Sequence, residues 1–270
     1  MGRMGPERMS LLVVQNLAKS FGGVRAVDGV DFALAAGERL ALIGPNGAGK
    51  STIFAMLGGQ IKPDAGSIRL AGRELAGLAP RAVWRLGVGR TFQVAQPFAS
   101  FSVAQNVQIA LLAHHRKLFS PWRRAARYRR VEAQALLDQV GLAQQADRPC
   151  RELSYGDIKR VELAVALAHD PRLLLLDEPA AGMAAAERGA LMQLVTHLTR
   201  ERDMAALFTE HNMDAVFAHA DRVLVLARGR VIAQGAPADI RADPRVREAY
   251  LGDDFSDIPD QADGPRDGAP

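Results

Sequence analysis

The chain has 270 residues, 48% hydrophobic and 24% charged, enough to bury a core as one large or two small domains of an ordinary soluble globular type. No apolar run reaches the roughly 18 residues of a membrane span, since residues 161–176 are broken by His169, Asp170, Pro171 and Arg172, and the single Cys150 excludes an internal disulfide and suits a reducing cytoplasm. The net charge of +4 conceals an asymmetry: residues 253–270 hold six Asp against one Arg, leaving about +9 on the rest, a basic body suited to nucleic acid or an anionic membrane surface but diagnostic of neither.

Residues 1–10 form an N-terminal extension carrying Arg3, Glu7 and Arg8 without the long apolar core of a signal peptide. No export signal is expected, and Met4 and Met9 stand as alternative starts. Short strand-like runs at 11–14, 24–27, 30–34 and 40–43 alternate with the turn signals Phe21-Gly22-Gly23 and Ala36-Gly37, which predicts a small sheet. Phe21 could stack on a nucleotide base or pack in a core.

Next come Gly44-Pro45-Asn46-Gly47-Ala48-Gly49-Lys50-Ser51-Thr52, which fit the phosphate-loop pattern G-x-x-x-x-G-K-[ST] at every defined position. A strand-like run at 39–43 precedes them and a helix-like run at 52–57 comes after. Small residues let the backbone curl so that its N–H groups point at phosphate oxygens, while the helix aims its positive dipole end at the same anion. Lys50 is expected to reach the β- and γ-phosphates, and the Ser51 hydroxyl to ligate Mg2+.

Beyond turns at Gly58-Gly59 and Pro63-Asp64, residues 67–70 resemble a strand and 79–86 a helix. Gln93 closes the segment Gly89-Arg90-Thr91-Phe92-Gln93, 43 residues after Lys50, and by itself means little. Ser102 is expected to cap a helix at 103–113, and Ser120-Pro121 to open a longer one. From His114 to Arg130 stand six Arg and one Lys with no acid, interleaved with Phe119, Trp122 and Tyr128. That composition suits a solvated helix face, a nucleic-acid contact or lipid headgroups. The pair His114-His115 lacks companion ligands for a metal.

Leu153-Ser154-Tyr155-Gly156-Asp157 precedes a helical run at 158–168, in which Val161, Leu163, Ala164 and Leu167 recur at helical spacing. Ser154 reads as an N-cap, with Asp157 as a capping-box-like acid; the Ser154 hydroxyl and the Gly156 backbone could equally hold a second phosphate. Four leucines at 173–176 end in Asp177 and Glu178, as expected of a parallel strand buried on both faces with its active groups at the carboxyl end. Asp177 would reach Mg2+, and Glu178 would orient or deprotonate a water. A helix at 184–199 and a strand at 205–208 lead to His211, 33 residues after Glu178. A hairpin at 222–226 and 230–233, through Arg228-Gly229, is followed by two short helices running through Tyr250. The acidic tail at 253–270 has too little apolar surface to fold and is expected to be disordered.

In order and spacing, these stations resemble the ATP-binding subunit of ABC transporters over residues 11–252. The resemblance implies an α/β fold of the P-loop NTPase ABC type: a RecA-like mixed-sheet core, an N-terminal antiparallel β-subdomain and a helical subdomain inserted at about 94–160. It assigns Phe21 to the base-stacking loop, Gly44 to Thr52 to Walker A, and Gln93 to the Q-loop, where it serves Mg2+ and catalysis. It makes 153–157 the signature, whose Ser154 and Gly156 touch nucleotide, and 173–177 Walker B, with Asp177 on Mg2+. Glu178 becomes the catalytic carboxylate and His211 the switch.

Details in Gly89-Arg90-Thr91-Phe92-Gln93, Leu153-Ser154-Tyr155-Gly156, Asp177-Glu178-Pro179-Ala180-Ala181-Gly182-Met183, Glu210-His211-Asn212-Met213 and Ala249-Tyr250-Leu251-Gly252 are similar to the branched-chain and hydrophobic amino-acid uptake branch. The cofactors implied are ATP and Mg2+. The partners implied are a second ATP-binding subunit, two membrane permeases at the cytoplasmic face of the plasma membrane and, indirectly, an external solute-binding protein, with no nucleic acid. Rival readings are the ATPase subunit of a lipid or polysaccharide exporter, a soluble ABC ATPase of DNA repair or translation, and a nucleotide kinase or GTPase. The soluble ATPases generally carry a long coiled-coil insertion or tandem cassettes, and the signature and His211 argue against the kinase.

Two residues depart from the pattern. Asp157 stands where the signature usually ends in Gln, and Ala184 where the loop after Walker B usually carries Asp or Asn. Either points to a different ATPase subunit as partner, with a second copy of this chain as the alternative.

Overall fold

The computed structural model describes residues 10–91, 97–115 and 129–250. The expectations for the N-terminal extension, for Gln93, for most of the basic segment at 114–130 and for the acidic tail lie outside these residues.

Two sheets carry the fold. In the first, β1 (Ser10–Phe21) and β2 (Val24–Ala35) form a long antiparallel hairpin, and β4 (Ala65–Leu70) and β5 (Arg73–Glu74) extend it in the order β2-β1-β4-β5. The hairpin turns at Gly22 and Gly23, at φ 52° and 85°, values that favour glycine. The two short strands expected at 24–27 and 30–34 are one strand. Gly29, at φ 66°, absorbs the interruption where the pairing with β1 shifts register between Val14 and Lys19.

The second sheet is made of β3 (Arg39–Ile43), β6 (Val88–Thr91), β7 (Leu173–Asp177), β8 (Ala205–Thr209), β9 (Arg222–Ala227) and β10 (Arg230–Gly235), in the order β10-β9-β3-β8-β7-β6. All pairs are parallel except the β9–β10 hairpin at the edge. The central strands are apolar at successive positions because each face meets a different core. Leu40, Leu42, Leu173 and Leu175 join a cluster with Leu12, Leu34 and Phe54, facing the first sheet and α1 (Lys50–Leu57). Ala41, Ile43, Leu174 and Leu176 join the opposite cluster, with Val161, Leu191 and Val195. Each fully buried leucine contributes roughly 1.5–3 kcal/mol relative to exposure.

Helices cover the second face. α2 (Pro80–Arg85) leads into β6, and α3 (Val103–His114) begins with a capping box between Ser102 and Gln105. α3 packs on α4 (Arg130–Gln139) and α5 (Tyr155–Leu167). α6 (Ala185–Glu201), α7 (Met213–His219), α8 (Pro237–Ala242) and α9 (Pro244–Tyr250) complete the chain. No helix among the described residues is long and apolar enough to cross a membrane.

The sheets are tied at two ends. Arg222, at the start of β9, donates from Nη2 to the Ala33 carbonyl of β2 and from Nε to Glu38 Oε1, between β2 and β3, at 2.7 Å. Asp28 accepts from Arg230 Nε at 2.8 Å, and its own backbone N–H donates to the Gly229 carbonyl at 2.9 Å. Since the Gly229 N–H donates to the Ala48 carbonyl at 3.1 Å, the β9–β10 turn also braces the loop after β3.

Candidate functional site

Parallel strands deliver their functional groups at their carboxyl ends. Here β8 lies between β3 and β7, so three neighbouring strand ends open on one edge. β3 feeds the loop at Gly44–Lys50, β7 ends in Asp177-Glu178, and β8 runs into Thr209-Glu210-His211.

The β3 loop has the backbone its sequence predicts. Gly44 has φ 154° and Gly49 φ 106°; a Cβ at the first would lie 2.2 Å from the Leu226 carbonyl oxygen, and at the second 2.4 Å from that of Ala26. Only glycine fits either place. Pro45, Asn46, Gly47 and Ala48 make the curl, with the Ala48 N–H donating to the Pro45 carbonyl at 3.1 Å; Asn46, Gly47 and Ser51 are exposed. α1 then starts with no side-chain cap and no acid in its first turn. A helix N-terminus left in that state suits an anion. Lys50 folds over the loop, its Nζ donating to the Gly44 carbonyl at 2.6 Å and the Pro45 carbonyl at 3.2 Å. Burial lowers its pKa, and the nearby Glu178 and Asp177 carboxylates oppose that effect. Thr52, half-buried, comes next in the helix.

The acids of β7 are held from β8. Thr209 Oγ1 donates to Asp177 Oδ1 at 2.9 Å and accepts the Glu178 N–H at 3.0 Å. Glu178 sits at φ 49°, in the left-handed region that non-glycine residues rarely adopt. Its Oε1 lies 2.8 Å from His211 Nε2. Glu210 Oε1 accepts the Ala180 N–H at 2.9 Å, and burial raises the pKa of Glu210, against the Ala180 N–H, Arg188 and His211, with Glu178 reinforcing the rise. Arg90 reaches in from β6: its Nη1 donates to the Phe54 carbonyl at 3.1 Å and to Gln60 Oε1 at 2.7 Å, and its Nη2 pairs with Asp177 Oδ2 at 3.8 Å.

The structure therefore gathers Lys50, Asp177, Glu178 and His211 at one edge. Ser154 and Gly156 stand apart at the start of α5. Ser154 Oγ accepts the Asp157 N–H at 3.2 Å, as a cap should, but Asp157 turns to Gln145, whose Nε2 donates to Oδ2 at 3.3 Å. The capping box expected there is thus half made. Gly156 packs beside Met183 and Glu187, in the segment beyond Glu178. Phe21 is 47% exposed at the end of β1, with Lys19 Nζ 5.5 Å from its ring centroid, so of its two readings core packing is excluded. Gln93 lies outside the described residues. The rings of His114 and His115 meet edge to face with centroids 4.8 Å apart, and no cluster of three His, Cys, Asp or Glu suited to a metal occurs among the described residues. Thr209, Glu210 and Arg90 were not anticipated; the signal available was polar residues directly after the apolar run of β8 and a lone arginine inside β6.

A family profile described as ABC transporter matches residues 27–181, more than half of the chain, spanning the phosphate loop, the signature and Asp177-Glu178. The chain belongs to the ABC transporter family. A second profile, described as Branched-chain amino acid ATP-binding cassette transporter, matches residues 230–256, from β10 onward. The chain is 39% identical to the High-affinity branched-chain amino acid transport ATP-binding protein LivG of Salmonella typhimurium over 253 residues, covering 90% of this chain and 98% of the relative. It is 37% identical to the protein BraF of Pseudomonas aeruginosa, described in the same words, with the same coverage. Among solved structures, the ADP conformation of an ATP-binding cassette of an ABC transporter superposes with a TM-score of 0.79 at 30% identity, covering 90% of this chain and 99% of the other.

This ABC cassette is a nucleotide-binding ATPase, and its residues fit the role. The uncapped α1 terminus and Lys50 suit a triphosphate. Ser51 and Asp177 offer the hard oxygen donors that Mg2+ prefers, with phosphate oxygens and water needed for the rest of its shell.

Proposed function

We propose that this chain is the ATP-hydrolysing subunit of an importer for branched-chain or other hydrophobic amino acids. One observation carries the chemistry: Lys50, Asp177, Glu178 and His211 converge on the carboxyl edge of three adjacent parallel strands, with Glu178 and His211 2.8 Å apart. The substrate class is supported by the match at residues 230–256 and by the names of the relatives.

In this reading residues 11–252 are the cassette, with a helical subdomain at about 94–160. The loop Gly44–Thr52 holds the ATP phosphates through backbone N–H groups and Lys50, and Phe21 stacks on the base. Ser51 and Asp177 hold Mg2+, helped by Gln93. The bound ion supplies charge to offset the phosphate oxygens as the terminal phosphoryl leaves. Glu178 orients the attacking water and accepts its proton. His211 holds Glu178 in place and contacts the terminal phosphate. Positioning and electrostatics then supply most of the rate.

Ser154 and Gly156 complete the ATP site of a second cassette, so each nucleotide lies between two subunits. ATP bridges the pair, and its hydrolysis releases the bridge. Asp157 and Ala184 favour a different cassette as partner. Two permeases anchor the pair at the cytoplasmic face of the inner membrane, and an external binding protein delivers the solute.

Co-expression with candidate permeases tests the proposal. It expects a stable complex whose ATPase rises when a leucine-loaded binding protein is added to vesicles. Stimulation by a lipid or polysaccharide substrate instead, with none by amino acids, would overturn the substrate class.

A further inference from the structure

The three residues at the end of β8 each grip a different point of the chain after β7. Thr209 holds the Asp177 carboxylate and the Glu178 N–H, and His211 holds the Glu178 carboxylate. Glu210 alone reaches past Pro179. Proline has no N–H, so Ala180 carries the first backbone donor after Glu178, and Glu210 Oε1 takes it at 2.9 Å. The Glu210 side chain is almost wholly buried, with the residue 6% exposed, so this hydrogen bond is shielded from water.

Ala180 is a branch point in this part of the chain. Its carbonyl accepts the Met183 N–H at 3.3 Å, and the Met183 carbonyl accepts from Arg188 Nη2 at 3.3 Å. The Met183 methyl lies beside Gly156 at the start of α5, 3.4 Å from where a Cβ on that glycine would stand. A continuous set of contacts thus runs from His211 through Glu210, Ala180 and Met183 to the signature segment of the same chain.

We propose that Glu210 is a positioning residue: through Ala180 it ties the switch His211 to segment 180–184 and the signature, so that loss of the terminal phosphate is felt where this chain meets a second cassette. The inference rests on the proposed pairing of cassettes. Glu210 acts through the placement of the Ala180 N–H. A contiguous path is not itself coupling, so the test must read the two ends separately.

Hydrogen–deuterium exchange on the full chain, with ADP or with a non-hydrolysable ATP analogue, reads segment 178–187 directly. In the unaltered protein the segment is expected to exchange differently in the two nucleotide states. Glu210→Ala should raise exchange at Ala180 by about tenfold or more, as expected for losing one buried hydrogen bond, and erase the difference between states. Nucleotide affinity should stay within about twofold. Glu210→Gln keeps an acceptor oxygen and should restore both features. In the assembled complex, Glu210→Ala should lower kcat and leave KM for ATP nearly unchanged.

Should the alanine variant fail to fold, Glu210→Met keeps the volume and removes the oxygen. A nucleotide-dependent difference that survives in Glu210→Ala or Glu210→Met would overturn the proposal. So would a Glu210→Gln variant as impaired as the alanine, since the acceptor would then be irrelevant. Association of the unaltered chain with a second cassette is measured separately, so the exchange result and the pairing can fail independently.

Discussion

His211 Nε2 and Glu178 Oε1 lie 2.8 Å apart, joining the ends of two adjacent parallel strands through residues 33 positions apart in sequence. A carboxylate that must orient a water benefits from a partner that fixes its rotamer, and the imidazole supplies one. Residues acting as a unit show non-additive losses. Accordingly, His211→Ala should slow single-turnover hydrolysis, and adding it to Glu178→Gln should cost little more than Glu178→Gln alone. Fully multiplicative losses in single-turnover kinetics would mean that the two side chains act separately.

Thr209 bears two hydrogen bonds on one hydroxyl, one to the Asp177 carboxylate and one from the Glu178 N–H. Thr209→Val keeps the shape and leaves both groups without that partner. The expected cost is about 1–3 kcal/mol of stability, read as a lower midpoint in urea with an unchanged slope, together with slower hydrolysis. A variant as stable and active as the parent would show that water replaces the hydroxyl without loss.

Gly49 combines φ 106° with a close approach to the Ala26 carbonyl, 2.4 Å from where a Cβ would stand. Gly49→Ala should therefore distort the phosphate loop and lower both stability and nucleotide affinity, the backbone strain alone costing about 1–3 kcal/mol. By contrast, Gly72→Ala meets open space and should strain only its own φ of 78° in the β4–β5 turn. Fluorescent-nucleotide titration should separate the two, with affinity lost only at Gly49.

His169 gives the fold an acid-sensitive point. Burial pulls its pKa down to about 4, with the neighbouring His114 adding to the effect and Val88 and Asp170 opposing it; its ring packs on Trp84 at 4.5 Å between centroids. In the unfolded chain the same group takes up its proton near the ordinary histidine value of 6.5. Between those values the unfolded state binds more protons, so the stability is complete above pH 6.5 and is lost as pH falls toward 4, by about 3 kcal/mol at most. Glu210, whose pKa is raised, works in the opposite sense in acid, but it is common to parent and variant. His169→Phe keeps the packing on Trp84 and should flatten the difference in denaturation midpoint between pH 7 and pH 5. An unchanged pH profile would remove His169 from this role.

What was legible in the sequence divides along a physical line. Gly44 to Thr52 could be read because phosphate binding by backbone N–H groups constrains nearly every position of the loop. The leucines at 173–176 could be read because a strand buried on both faces has no place for polar side chains, and the structure sends them alternately into two cores. The strand β2 was divided in expectation because Gly29 looks like a turn, whereas pairing along β1 absorbs it as an irregularity. Thr209 and Glu210 were missed because their roles depend on β8 inserting between β3 and β7, a non-local arrangement that no local pattern encodes. Asp157 was recognised as an acid in a first helical turn, but its partner Gln145 lies twelve residues away on a separate segment.

The central claim is that Glu178 activates water in a site that binds ATP without it. Glu178→Gln, measured in the assembled complex for ATP binding and for hydrolysis, tests it most directly. The expected result is nucleotide affinity close to that of the parent, with hydrolysis lowered by at least about 10²-fold, the scale of a lost general base. Near-normal turnover in that variant would contradict the claim.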